Sequence, residues 1–248
     1  MHPILFKIGP LTLYSFGLMA ALAFLAGNLV IEREFHRYGI ARRGYSGEVI
    51  LTALIGGMLG AKVYYFIEHW SEFVVDPWGM IFSGAGLVWY GGLAGGTLAV
   101  LLLIHRRRYP LGRTADALAL ALALGYGIGR IGCLLSGDGD YGPPTDLPWG
   151  MTFPEGIVPT TEHVHPTPIY EALMSWGIFG YLYRGRPFEA RPGGLFWSYI
   201  LLAGVERLIA EFWRLTPKVA LGLTMAQWIS LALIVISSVV LYRFKQGH

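Results

Sequence analysis

Hydrophobic positions in this chain come in long runs rather than in stripes. Seven windows, at about 12–31, 48–67, 86–104, 115–135, 167–183, 194–212 and 223–242, are apolar almost throughout. About 20 apolar residues is the length a helix needs to cross the hydrocarbon of a bilayer. A helix with no polar stripe is covered by lipid or protein on every side. The pattern therefore predicts an all-α integral membrane protein of about seven transmembrane helices, a single polytopic domain over residues 1–248.

The connections between windows alternate in charge. Arg33, Arg37, Arg42 and Arg43 follow the first window; Arg106, Arg107, Arg108 and Arg113 follow the third; Arg184, Arg186 and Arg191 follow the fifth; Arg243 and Lys245 follow the last. Glu72 and Asp76 lie after the second, and Asp138, Asp140, Asp146, Glu155 and Glu162 after the fourth. If the windows alternate in direction, these basic segments share one side. The positive-inside rule then puts the N-terminus outside and the C-terminus in the cytoplasm. The start, MHPILFKIGP, lacks a basic leader region, so no cleavable signal peptide is expected.

Composition agrees with this reading. Of 248 residues, 54% are hydrophobic and 14% charged, against about 25% charged in an average soluble domain. Mean hydropathy is +0.50. The sequence pI near 9.0 is a topology signal with some attraction to anionic lipid, and nucleic acid is not an expected partner. One cysteine excludes an internal disulfide framework, and no metal or other cofactor is expected. No internal repeat or low-complexity linker is evident.

Glycines cluster inside the windows: Gly56, Gly57 and Gly60; Gly91, Gly92, Gly95 and Gly96; Gly125, Gly127, Gly129 and Gly132. Pairs four apart make flat faces that let helices approach closely. Most of these glycines read as packing; some instead bring backbone N–H groups near a ligand headgroup. One outer connection, about residues 136–166, is long, rich in proline and acid, and carries WGMTFP. A loop of that length on one face is a place for a site or lid.

Setting aside the flanking basic residues leaves Lys7, Lys62, Arg130, Arg207, Arg214 and Lys218. Arg130 ends the fourth window and Arg207 lies inside the sixth. A charge in hydrocarbon is costly, so each must face the bundle interior and have a partner. Glu211 is one helical turn beyond Arg207 on the same face, Glu206 is on a different face, and Arg214 follows. Two readings stay open: arginines locked in ion pairs that fix helix register, or an anion site, since guanidinium forks match phosphate bidentately. Glu171, inside the fifth window, also needs a partner, for which an arginine is the expected choice. His165 is a general base or a helix cap. Asp138 and Asp140 pair with Arg130 or act as bases, with a solvated acid the commoner outcome for Asp140. Asp116 reads as a cap or loop anchor, Lys62 as a carboxylate partner or a snorkelling side chain, and Cys133 as a buried, inert thiol.

Five blocks now stand in order: IGPLTLYSFGLMAAL, GLVWYGGLAGG, GRIGCLLSGDGDYG, HPTPIYEAL and ERLIAEFWR. With this order and spacing the chain resembles the prolipoprotein diacylglyceryl transferase family over nearly its whole length. The resemblance implies transfer of the diacylglyceryl group of phosphatidylglycerol to the lipobox cysteine thiol at the end of a prolipoprotein signal peptide, with a thioether as product and glycerol phosphate leaving. It implies a bacterial cytoplasmic (inner) membrane protein, multi-pass, with its active site near the outer face. It also implies roles: Arg130 and Arg207 match essential arginines, Glu211 a nearby carboxylate, and His165, Tyr170 and Glu171 an HP…YE block. Gly91 and Gly92 match a GGL block; with Phe16 and Cys133 they fall at substrate-contacting positions. The chain departs from the best-known members at Tyr90 (His there), Phe16 (Tyr), Cys133 (Asn) and Asp138 (Glu). These departures leave the base open: Tyr90, poor as a base unless an arginine lowers its pKa and otherwise a lipid hydrogen-bonding group; Asp138; His165; or a thiol that ionises beside Arg130 and Arg207 with no protein base. Two other readings are a divergent member using another acceptor or only binding lipid, and a transporter. A transporter would show paired pseudo-repeats, which the sequence lacks.

Overall fold

The computed structural model describes residues 2–9, 11–40, 44–83 and 88–247. Arg42, Arg43, Pro10, Gly86 and Leu87, all part of the patterns above, lie outside the described residues. Helix dominates. The N-terminus is a hairpin, β1 (Ile4–Ile8) and β2 (Leu11–Tyr14), and among the described residues seven long helices follow: α1 (Ser15–Arg37), α2 (Tyr45–Glu68), α5 (Trp89–Arg107), α6 (Leu111–Ser136), α7 (Thr167–Gly185), α8 (Gly194–Ala210) and α9 (Met225–Gln246). Between α2 and α5 lie two short helices, α3 (Trp70–Val75) and α4 (Pro77–Phe82). Two further hairpins are β3 (Met151–Phe153) with β4 (Thr160–Val164), and β5 (Lys218–Ala220) with β6 (Leu223–Thr224).

Each apolar window falls on one long helix. Among the described residues, four helices are long and apolar enough to cross a membrane: α1, α2, α6 and α9. Some edges differ from the sequence pattern. Residues 12–14 of the first window belong to β2, residues 223–224 of the last belong to β6, and the sixth helix stops at Ala210, where Glu211–Trp213 tighten into a 3₁₀ turn.

The chain divides into two compact units, Glu32–Thr114 and Met1–Ile31 with Ala115–His248. In the first, α2 and α5 meet through glycines. A Cβ at Gly60 would lie 2.3 Å from the Gly91 carbonyl oxygen, and one at Gly95 would lie 2.4 Å from the Gly56 oxygen. Backbones this close leave room for hydrogen only. Lys62 Nζ donates to the carbonyls of Met80 (3.0 Å) and Ser83 (2.8 Å) at the end of α4.

In the second unit the core forms around Leu120, Leu182 and Leu195, from α6, α7 and α8, with Val30, Ile178, Phe179, Tyr183, Tyr199 and Leu202 against it. Asp116 is fully buried. Its carboxylate accepts from the backbone N–H groups of Gly193 (2.9 Å) and Phe196 (3.0 Å), which begin α8. It therefore anchors α8 to α6 and satisfies N–H groups that the helix itself cannot. The 136–166 connection is folded. Val158 N–H donates to the Gly137 carbonyl (2.8 Å) and Tyr141 Oη to the Val158 carbonyl (2.8 Å). Phe153, buried, stacks on Tyr141 at 4.9 Å. Gly137 and Gly139 hold φ of 58° and 92°, values that suit glycine.

Candidate active site

Three helix ends and one loop bring six charged side chains together. Glu171, on the second turn of α7, is 1% exposed. One of its oxygens lies 2.9 Å from Arg130 Nε, on α6. The other lies 3.2 Å from Arg207 Nη1, on α8, and 3.2 Å from Arg214 Nη1. Arg207 also pairs with Glu211 at 2.7 Å. The Asp140 carboxylate bridges Arg130 and Arg214, one oxygen to each. Three guanidiniums thus face three carboxylates, which is how charges persist in a dry place.

Local folding explains the convergence. Positions 207, 211 and 214 are spaced i, i+4, i+7, one face of a helix. The 3₁₀ turn at Glu211–Trp213 ends the helix and carries Arg214 back over Glu171. The loop that carries Asp140 is held from three sides. Its carbonyl accepts from Thr167 Oγ1 at 2.5 Å, its N–H donates to Asp138 Oδ1 at 3.3 Å, and Gly142 N–H donates to the His165 carbonyl at 2.8 Å. A Cβ at Gly142 would lie 2.3 Å from the Trp213 carbonyl oxygen, so loop and turn touch only because that residue is glycine.

Burial opposes ionisation of Asp140, but Arg130 and Arg214 outweigh it and hold its carboxyl below the usual range. Arg214 is likewise disfavoured by burial, and Glu171 and Asp140 more than restore its charge. Arg130 stacks over the Tyr126 ring at 4.8 Å, a cation–π contact. Its Nη1 lies 3.9 Å from Cys133 Sγ.

The other sequence candidates divide. His165 Nδ1 is 3.2 Å from Tyr170 Oη, which accepts from Trp149 Nε1 at 2.8 Å, and Trp213 meets the Tyr170 ring edge-on at 5.6 Å. His165 and Tyr170 thus form an aromatic wall; the α7 N-cap is Pro166. Asp138 holds the Asp140 backbone. Phe16, half-exposed, begins α1, and a Cβ at Gly132 would lie 3.2 Å from its ring. Tyr90 is 56% exposed, its ring against Trp89. Gly91 is buried, where a Cβ would lie 2.4 Å from Tyr64 Cβ, while a Cβ at Gly92 would make ordinary contact with Gly57. Tyr90, Gly91 and Gly92 belong to the 32–114 unit.

One expectation is corrected: Asp140 is no solvated acid, because two arginines clamp it. Sequence reading also left Arg214 without a role, although its i+7 spacing from Arg207 was there to find. Gly129 does not share the packing role of its neighbours, since a Cβ there would meet nothing within 4 Å. Cys133, Asp138 and Asp140 each bring one potential metal-ligand atom within 4.8 Å of the others. Arg130 and Arg214 already occupy both Asp140 oxygens and would repel a cation there.

A family model described as prolipoprotein diacylglyceryl transferase matches residues 3–243. A phosphatidylglycerol–prolipoprotein diacylglyceryl transferase of Clostridium tetani is 34% identical over 243 residues, 95% of each chain. A second, numbered 2, from Clostridium perfringens is 32% identical and covers 99% of this chain and 96% of its own. One from Geobacter sulfurreducens is 31% identical over 90% of this chain and 85% of its own. The match runs through α6, the 136–166 connection, α7 and α8, the segments that supply the arginine–carboxylate cluster: the chain belongs to the prolipoprotein diacylglyceryl transferase family.

Proposed function

We propose that this chain transfers the diacylglyceryl group of phosphatidylglycerol to the lipobox cysteine thiol of a prolipoprotein, in the cytoplasmic (inner) membrane of a bacterium. The observation that carries the reading is the meeting of Arg130, Arg207 and Arg214 at one buried carboxylate. In the reaction the thiolate sulfur attacks the glyceryl carbon that bears the phosphate. A C–S bond forms, the C–O bond breaks, and glycerol phosphate leaves with the electron pair. The phosphate gains negative charge as that bond breaks, so fixed guanidiniums stabilise the transition state more than the ground state. Arg130 and Arg207 take the phosphate oxygens, and Arg214 adds a third fork. Glu171 and Glu211 aim those forks. Phe16, Cys133, His165 and Tyr170 line the lipid's path.

The chain is read as one polytopic domain over residues 1–248 with seven spans, the N-terminus outside and the C-terminus in the cytoplasm. Charge alternation in the connections supports this, and it puts the 136–166 loop and the arginine cluster near the outer face. The lipobox cysteine of a signal peptide is presented at that depth.

The test mixes purified protein, phosphatidylglycerol and a lipobox peptide and looks for the mass of a diacylglyceryl adduct. Wild type forms it. Arg130→Ala lowers the rate by about 10²–10³-fold, the usual loss for one transition-state donor. No adduct from folded wild type, across several lipids and peptides, overturns the reading.

A further inference from the structure

Transfer consumes a thiol and needs a thiolate, so something takes a proton. Among the carboxylates of the cluster, Glu171 has both oxygens on arginines and Asp140 bridges two. Glu211 Oε2 is paired with Arg207, although its Oε1, also buried, has no hydrogen-bond partner among the described residues. A fourth carboxylate differs in having no ion pair at all among the described residues: Glu206, on α8, is 7% exposed, and its Oε1 too has no hydrogen-bond partner. It interacts electrostatically with Glu171, Arg130 and Arg207, and with Tyr126 and Tyr199. Tyr126 and Arg130 come from α6, Glu171 from α7, and Tyr199 and Arg207 from α8 itself.

Its depth matters. Tyr126 precedes Arg130 by one turn of α6, about 6 Å further from the outer loop. Tyr199 lies two turns before Arg207 on α8. Glu206 precedes Arg207 by one residue, about 1.5 Å inboard, and the two tyrosines it interacts with lie deeper still, so its carboxylate is assigned to the inboard edge of the phosphate-binding arginines. In a phospholipid whose phosphate rests on those arginines, the glyceryl carbon lies inboard of the phosphate. A nucleophile that displaces the phosphate oxygen approaches that carbon from the opposite side, further inboard still.

We propose that Glu206 is the base of the transfer: its free Oε1 accepts the proton of the acceptor thiol at the inboard side of the arginine cluster. The S–H bond breaks, O–H forms on Glu206, and the thiolate attacks as the phosphate leaves on the outboard side. The proton then passes to the departing phosphate or to water, which restores the carboxylate. This rests on the transferase reading above.

The experiment compares wild type, Glu206→Gln and Glu206→Asp for kcat, KM and pH profile, with binding of phosphatidylglycerol to each followed separately. Transfer by wild type is the control: its failure removes the function, whereas its success with an unaffected Glu206→Gln removes only the base. The expected result is a fall in kcat of about 10²-fold or more in Glu206→Gln with lipid binding retained. The loss should shrink as pH rises past the thiol's own pKa of about 8.5, where it ionises unaided. Glu206→Asp should recover part of the rate at neutral pH. Three results overturn the proposal: a wild-type kcat in Glu206→Gln, an equal loss at every pH, or loss of lipid binding together with turnover, which would make Glu206 a positioning residue.

Discussion

Helices α2 and α5 meet by having nothing between them; the ends of α6, α7 and α8 meet by having everything between them. At Gly60 and Gly91 the contact is backbone on backbone, with no side chain to place. At Glu171 it is three guanidiniums around one carboxylate. In lipid the hydrophobic effect does not drive helices together, so a bundle needs other glue. The glycine contact gives dispersion over many atoms and is indifferent to what approaches the site. The charged contact is directional, costly to assemble, and leaves guanidinium arms that a ligand can share. The first kind of contact makes a frame and the second makes a site.

The largest way to break this contrast is Glu171→Gln. It leaves three arginines with one counter-charge fewer in a buried place, a change that costs about 3–5 kcal/mol when one partner of a buried pair is lost. Thermal unfolding in detergent should show it, together with loss of transfer. If stability is unchanged, the charge cluster is not glue. Next comes Gly60→Ala, where the new methyl collides with the Gly91 carbonyl; overpacking of this kind costs about 1–3 kcal/mol. Gly129→Ala is its counterpart. The space there is open, so the helix propensity of alanine should stabilise by up to about 1 kcal/mol. Opposite signs in the unfolding midpoints confirm that glycines on these helices are not equivalent. Asp116→Ala removes the cap at the start of α8 and should cost about 1 kcal/mol, with little direct effect on chemistry.

The smallest effect is a pH dependence. Asp140 has its pKa depressed in the folded protein by Arg130 and Arg214. Its contribution to stability is therefore full above the unfolded value of about 3.9 and fades as pH falls through the folded value. Wild type and Asp140→Asn should differ most in unfolding midpoint near neutral pH and converge in acid. A constant difference would show that the loop, not the charge, is what Asp140 contributes.

How much of this was legible depended on the range of the interaction. The apolar windows needed only local composition, and each found its helix. Arg207 with Glu211 needed one helical turn, and i, i+4 spacing supplied it. Glu171 needing an arginine followed from its burial in an apolar run, but which arginines could not follow. Arg130, Arg207 and Arg214 all reach it from outside its own helix, 36 to 43 residues away along the chain. Asp140 was misjudged because loop acids are ordinarily solvated, and nothing local says that a residue 74 positions later will clamp it. The three short hairpins and α3 and α4 were missed for another reason: segments of two to six residues carry too few positions for any period to emerge.

The Gly142 contact has a consequence of its own. The Asp140 loop touches the Trp213 backbone at a point where no side chain fits between them, and Arg214 follows that backbone directly. The loop acid and the turn arginine therefore share one hinge pin, so displacement of either is felt by the other through main chain rather than through charge alone. An anion that drew Arg214 toward itself would loosen the grip on Asp140 in the same motion. The site would behave as a clasp with a single pivot, opening once for the lipid and closing again on its own carboxylate when glycerol phosphate is gone.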